Sequence, residues 1–251
     1  NSADIVYILF TSGSTGKPKG VMVSYQNLYS SLKNHNTFYT LPPGYNASQT
    51  FDLGFDASVL DTFLTLFNGG TICLLNKLEL IMPFNYIKRE KIYFWYSVPT
   101  LIDFMYKMGY LKPNSFPDIK YSLFGGEPFS QKLADAWQSA APNSTVENVY
   151  GPTEATVNIT RFLYKPEHKE REFKNKILPI GKIFDQHCFS IVNDDYEVLG
   201  IGQKGQLIAK GSQVTHGYLN NIEKTNSVFR SFDWDSTNSI WYLTGDLAFI
   251  N

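Results

Sequence analysis

The sequence predicts an α/β fold: a layered core around a largely parallel sheet, followed by a β-rich part. Three observations predict it. Short apolar runs of strand length alternate with runs that carry apolar residues at helical spacing, from Ile5 to the neighbourhood of Tyr150. A run of mixed charge, "YKPEHKEREFKNK" (164–176), then interrupts the alternation. After it, "CFSIVNDDYEVLGIGQKGQLIAKG" shows short strands punctuated by Asp194-Asp195, Gly202 and Gly205, the pattern of hairpins.

In chain order, Ile5 to Phe10 reads as a buried strand and Gly20 to Val23 as a second. Ser24 to Phe38 reads as a helix capped by Ser24. Val59 to Phe67 has helical spacing, and Thr71 to Leu75 is a short apolar strand. Ile92 to Tyr96, Val98 to Tyr106, Ile119 to Phe124 and Gln131 to Ala140 continue the alternation of strand and helix. The expected division places an α/β part at 1–176 and a β-rich, distorted-barrel part of the same domain at 177–251. The charged run between them reads as a solvated loop, because its signs nearly cancel.

Bulk properties exclude several functions. At 251 residues with 43% hydrophobic and 18% charged residues, the chain has enough apolar side chains for a sizeable core. A net charge of -1 argues against nucleic-acid binding driven by global charge. Cys73 and Cys188 stand apart with no CxxC or Cys/His cluster, which argues against a thiolate metal site and favours a reducing, cytoplasmic compartment. Asp61, Asn68 and Gly69-Gly70 interrupt the greasiest region, so no membrane insertion is expected. No signal peptide is evident, and both ends read as cuts. His35, His168, His187 and His216 have no nucleophile or metal spacing, and none is assigned a catalytic role.

The chemistry-bearing stretch is "YILFTSGSTGKPKGVMVSY" (7–25). Gly13 to Lys17 gives GxxGK followed by Pro18, not the GxxxxGK[ST] of a P-loop, and Pro18 biases Lys17 away from helical geometry. Thr11, Ser12, Ser14 and Thr15 nevertheless offer hydroxyls, Gly13 and Gly16 let backbone N–H groups approach closely, and Lys17 and Lys19 add positive charge. That is the chemistry of a polyphosphate site.

This stretch resembles the signature of the AMP-forming adenylate ligases. "FDASV" (55–59), "FGGEPF" (124–129), "NVYGPTEAT" (148–156), "GYL" (217–219) and "YLTGDL" (242–247) follow in that family's order across nearly the whole chain. "FDASVLDTF", "FWYSVPT" and "YGPTEATV" look most like amino-acid adenylation domains, such as D-alanine–carrier protein ligases and nonribosomal-peptide modules. The resemblance implies activation of an amino acid by ATP to aminoacyl-AMP and pyrophosphate. Transfer to the phosphopantetheine thiol of a carrier protein follows. An acyl- or aryl-CoA synthetase and a non-catalytic nucleotide-binding module are the alternatives.

The resemblance also implies roles. Thr11 to Lys17, with Lys19, would hold the β- and γ-phosphates. Tyr150 would stack on adenine, Asn148 would reach its amino edge, and Gly125-Gly126-Glu127 and Gly151 would lie along the nucleotide. Thr153 would bond the α-phosphate, Glu154 would hold Mg²⁺, and Asp246 would accept from the ribose hydroxyls. Thr153, Glu154 and Lys17 form the implied catalytic set. Asp56 would bind the substrate ammonium, with Phe55 helping to exclude water. Ala57, Leu60, Tyr96, Ser122, Val149, Val157 and Asn158 would line a pocket for a small to medium uncharged side chain. Two departures stand out: Gly125 replaces the Cys common in D-alanine ligases, and Leu243 replaces the Arg of "YRTGD". A segment before Asn1 and a mobile C-terminal domain carrying a catalytic lysine are expected outside this chain.

Overall fold

A computed structural model of the chain describes residues 1–12 and 17–251. Two compact units are present. One comprises Asn1–Asn34, Gly151–Ile159 and Ile183–Asn251; the other comprises His35–Tyr150 and Thr160–Lys182. This division differs from the boundary expected at 176, because the first hairpin and helix group with the C-terminal residues.

In the second unit, six strands hydrogen-bond in the order Thr71–Leu74, Asn46–Gln49, Phe94–Ser97, Tyr121–Phe124, Thr145–Tyr150, Thr160–Tyr164. The first five are parallel and the last is antiparallel to its neighbour. The crossovers are the helix Ala57–Phe67, the short helices Lys77–Ile81 and Phe84–Arg89, and the helices Pro99–Lys107 and Gln131–Ala140, as a parallel sheet requires. Two of the longer helices carry a clear start signal. Pro99 opens one, at the first-turn position where a missing N–H costs nothing. Ser130 caps another by accepting from the Leu133 N–H at 3.3 Å. Ile102 of the helix Pro99–Lys107 and Ala134 and Trp137 of the helix Gln131–Ala140 fill one core with Trp95, Phe116, Phe124 and Phe129. The charged run is partly anchored: Phe173 joins that core, and Gln131 Nε2 donates to the carbonyls of His168, Lys169 and Arg171.

In the first unit, Ile5–Thr11 and Lys19–Ser24 pair as an antiparallel hairpin. The first of these strands is not buried as expected, since Ile5, Val6, Ile8 and Phe10 are exposed. The hairpin is a two-stranded sheet of its own. The burial falls on its partner strand, whose Val21 and Val23 pack with Ala155, Ala209, Val214, Tyr218, Phe229 and Tyr242. Ser24 does cap the helix Tyr25–Asn36, accepting from the Asn27 N–H at 3.2 Å. A four-stranded antiparallel sheet runs in the order His187–Val192, Gly205–Gly211, Trp241–Ala248, Phe229–Arg230.

Candidate functional site

In the first unit the hairpin register sets Thr11 opposite Lys19. Ser12 and Lys17 are exposed. Gly13, Ser14, Thr15 and Gly16, the heart of the expected phosphate loop, lie outside the described residues. Lys19 is not simply a surface cation. Its ammonium lies 3.7 Å from Glu154 Oε1 and 4.8 Å over the Tyr218 ring, and donates to the Tyr218 hydroxyl at 3.4 Å.

Glu154 is the buried centre of this cluster. It sits in the 3₁₀ turn Thr153–Ala155, and its Oε1 accepts from the Tyr218 hydroxyl at 2.6 Å. Its backbone carbonyl accepts from the Thr215 N–H at 2.9 Å. Burial, and then the charge of Glu154, push the Tyr218 and Tyr242 hydroxyls far above the ordinary phenol range, so Tyr218 remains a neutral donor. Among the described residues no group of three or more His, Cys, Asp or Glu could cage a metal. A lone carboxylate fits Mg²⁺ only as a partial ligand set, with phosphate oxygens supplying the rest.

The turn after Glu154 is strained. Thr156 and Val157 have φ of 56° and 72°, a left-handed conformation that costs β-branched residues about 1–3 kcal/mol each. The turn folds back against Gly151, where an added Cβ would lie 2.2 Å from the Val157 carbonyl oxygen. Glycine is therefore required there for close approach. Thr153 is half-buried, and Val157 and Asn158 are buried.

Asp246 belongs to a bulge. Leu243 pairs with Ile208 and Leu247 with Gln206, so Thr244-Gly245-Asp246 bow out opposite Leu207. Thr244 Oγ1 donates to the Leu207 carbonyl and accepts from the Asp246 N–H, while Gly245 takes φ 80°. The bulge leaves Asp246 exposed. Leu243 turns inward to a cluster with Val192, Ile208 and Trp241.

In the second unit, Asp56 occupies the position before the helix Ala57–Phe67 but its side chain makes no capping hydrogen bond. Phe55, expected to shield it, is 65% exposed. Ala57 and Leu60 face inward with Leu64, at helical spacing. Tyr96 and Val149 meet at Gly125, where an added Cβ would lie 2.9 Å from Val149 Cγ2 and 3.3 Å from Tyr96 Oη. Gly126 takes φ 81°. Glu127 serves the helix Pro99–Lys107, accepting from the Thr100 N–H at 3.1 Å and from the Thr100 hydroxyl. Asn148 commits its amide nitrogen to the carbonyls of Pro179 at 2.9 Å and Leu178 at 3.3 Å, which fixes its side-chain oxygen as the acceptor end. Tyr150 is half-buried at the end of its strand.

Ser122 does not join Tyr96 and Val149. The strand register pairs Tyr96 with Leu123 and Leu123 with Glu147, so Leu123 shares the face of Tyr96 and Val149, and Ser122 points the other way. There Ser122 Oγ accepts from Trp137 Nε1 at 2.8 Å and lies 2.7 Å from Ser144 Oγ. The expectation was one residue out of register. Strand alternation, counted back from Gly125 in twos, was the signal that identifies Leu123.

Glu147, on the face of Val149, was not anticipated at all. Its carboxylate accepts from the Tyr39 hydroxyl at 3.2 Å and pairs with Arg161 at 3.4 Å. Burial pushes its carboxyl up to about 7 despite the opposing pull of Arg161. His187 and His168 have structural partners. His187 Nε2 accepts from the Gln213 N–H at 3.2 Å, and His168 Nδ1 accepts from the Lys165 N–H at 3.1 Å.

The sequence profile of a family described as AMP-binding enzyme matches residues 1–219. The chain is 34% identical over 249 residues to a D-alanine–D-alanyl carrier protein ligase of Lacticaseibacillus rhamnosus, covering 98% of this chain and 48% of that one. A ligase of the same name from Listeria monocytogenes serovar 1/2a is 34% identical over 254 residues, covering 100% and 48%. Among solved structures, the Vibrio cholerae adenylation domain AlmE in complex with glycyl-adenosine-5'-phosphate matches with a TM-score of 0.90 at 33% identity, over 98% of this chain and 46% of AlmE. IdnL7 matches with a TM-score of 0.88 at 31% identity, over 98% and 48%. The chain thus spans about half the length of the curated relatives it matches. No helix among the described residues is long and apolar enough to cross a membrane.

Proposed function

Because the chain belongs to the AMP-binding enzyme family, we propose that the protein activates a small, uncharged amino acid with ATP and passes it to a carrier-protein thiol. The substrate carboxylate attacks the α-phosphorus, the bond to pyrophosphate breaks, and aminoacyl-AMP forms. The phosphopantetheine thiolate of a carrier then attacks the aminoacyl carbonyl carbon, and AMP leaves.

The observation that carries this reading is the convergence of three separate sequence motifs on one carboxylate. Lys19 of "KPKG", Glu154 of "YGPTE" and Tyr218 of "GYL" form one hydrogen-bonded cluster. Such a cluster suits a site that must order a cation and a polyphosphate without a cage of ligands. When bound, Mg²⁺ would neutralise phosphate charge, with Glu154 as its protein ligand. Thr11 to Lys17 hold the leaving pyrophosphate, Thr153 the α-phosphate, Asn148 and Tyr150 the adenine, and Asp246 the ribose. Lys17 supplies positive charge where negative charge builds up on the phosphates.

On the amino-acid side, Asp56 pairs the substrate ammonium. Ala57, Leu60, Tyr96 and Val149, with Leu123 in place of Ser122, surround its side chain, and Val157 and Asn158 keep their assignment to substrate selection. The bulk of Tyr96, Leu60 and Val149 favours a small substrate, in keeping with relatives named for D-alanine and a neighbour solved with a glycyl adenylate. Gly125, at a position where D-alanine ligases often place Cys, keeps glycine and other small amino acids in the panel beside D-alanine. ATP–pyrophosphate exchange by the complete gene product across a panel of L- and D-amino acids tests the reading. Exchange confined to a few small uncharged amino acids supports it, and exchange with none overturns it.

A further inference from the structure

We propose that Gln213 is a positioning residue that locks Thr153–Glu154 and Val157–Asn158 into one fixed relation; its catalytic consequence rests on the adenylation reading above. Gln213 is fully buried in the first unit. Its Nε2 donates to the carbonyls of Asn158 at 2.8 Å, Thr156 at 3.1 Å and Ala155 at 3.4 Å. Its Oε1 accepts from Asn34 Nδ2 at 2.8 Å. Its backbone carbonyl accepts from Thr156 Oγ1 at 2.6 Å, and its N–H donates to His187 Nε2 at 3.2 Å.

The need for such a donor follows from the backbone. Left-handed φ at Thr156 and again at Val157 turns three carbonyl oxygens toward one point. Ser31 Oγ also donates to the Thr156 carbonyl, at 3.3 Å, but the carbonyls of Ala155 and Asn158 face Gln213; without its amide they lose that donor, and two β-branched residues relax toward ordinary φ. An amide nitrogen at that point satisfies the carbonyls and makes the strained turn the lowest state. The turn joins the residues assigned to the α-phosphate and metal to residues assigned to the side-chain pocket. One buried amide therefore sets both. Oε1, held by Asn34, fixes which way the amide faces.

The test uses the complete gene product carrying Gln213→Met, which keeps volume and removes the donors, and Gln213→Glu, which places acceptors against the carbonyls. Neither touches the backbone anchors, namely Thr156 Oγ1 to the Gln213 carbonyl and the Thr215 N–H to the Glu154 carbonyl. Two quantities are read: amino-acid selectivity in ATP–pyrophosphate exchange, and amide hydrogen exchange of the segment 153–159. A misplacement of about 1 Å costs up to about a hundredfold in rate. Both variants are expected to lose at least about tenfold in kcat/KM, to change the ratio of KM values between two amino acids, and to exchange amides faster at 153–159 alone. Adding Val157→Gly, which takes positive φ without strain and leaves the Thr156 Oγ1 anchor in place, restores protection at 153–159 in the Gln213→Met background.

Unchanged selectivity and local protection in both variants overturn the proposal. So does a loss of protection spread through the chain that Val157→Gly does not repair, because Gln213 is then ordinary core. If no amino acid supports exchange in the wild type while the local hydrogen-exchange effect and its rescue appear, the adenylation reading fails and the hold of Gln213 on the turn stands.

Discussion

The Tyr218 hydroxyl donates to Glu154 Oε1 at 2.6 Å, joining residues 64 apart in sequence. Burial of both partners keeps water from competing for this bond, and a hydrogen bond to a charged group contributes about 1.5–3 kcal/mol. The bond orients the carboxylate assigned to the metal, while Lys19 balances its charge. Tyr218→Phe therefore raises the Mg²⁺ concentration needed for half-maximal pyrophosphate exchange by about tenfold or more. The magnesium titration is run beside a thermal melt. An unchanged magnesium requirement with a lowered Tm assigns the bond to stability alone.

Ser122 and Leu123 separate packing from specificity. Ser122→Ala leaves the Trp137 indole N–H without its acceptor and costs about 1–3 kcal/mol of stability, with no change in amino-acid KM. Leu123→Ala widens the pocket and admits larger side chains. Denaturant unfolding and an amino-acid panel on both variants check the pair, and the reverse pattern removes Leu123 from the pocket.

Glu147 makes stability depend on pH. Its folded-state carboxyl is raised from the ordinary 4.5 to about 7, so the folded chain binds a proton that the unfolded chain has already released in that window. The contribution is full below the unfolded value and is lost as pH rises through about 7. Glu147→Gln flattens the fall in unfolding free energy between about pH 5 and 8. Urea titrations at several pH values measure it, and an equally steep fall in the variant contradicts the assignment.

The proposed assignment divides nucleoside and phosphate contacts between residues far apart in sequence. Asp246→Ala weakens AMP and ATP alike, whereas Lys17→Ala weakens ATP far more than AMP. Calorimetric titration of both nucleotides distinguishes these outcomes, and equal losses for Lys17→Ala place its charge elsewhere.

Much of this architecture was legible in the sequence. The helices Ala57–Phe67, Pro99–Lys107 and Gln131–Ala140 follow from apolar spacing, and the ordered motifs name the family. The strand Asn46–Gln49 was not legible, because "NASQ" lacks β-branched and aromatic residues and is held by its parallel neighbours alone. The exposure of Ile8 and Phe10 escaped for a similar reason, since an apolar run does not say whether a second layer covers it. Ser122 failed by one step of strand register. Gln213 lies in no motif, and its importance appears only when the backbone of Thr156 and Val157 is seen to turn left-handed.

Asp56 carries the central claim, that the substrate bears an ammonium. Removing the carboxylate leaves that ammonium unpaired, a loss of about 3–5 kcal/mol, or roughly two to three and a half decades. The decisive measurement is ATP–pyrophosphate exchange by wild type and Asp56→Ala of the complete gene product, with the preferred amino acid and with the same acid lacking its amino group. The account predicts that Asp56→Ala nearly abolishes exchange with the amino acid while ATP binding persists, and that wild type ignores the des-amino acid. An Asp56→Ala protein that keeps its amino-acid KM, or a wild type that activates the des-amino acid equally well, contradicts it.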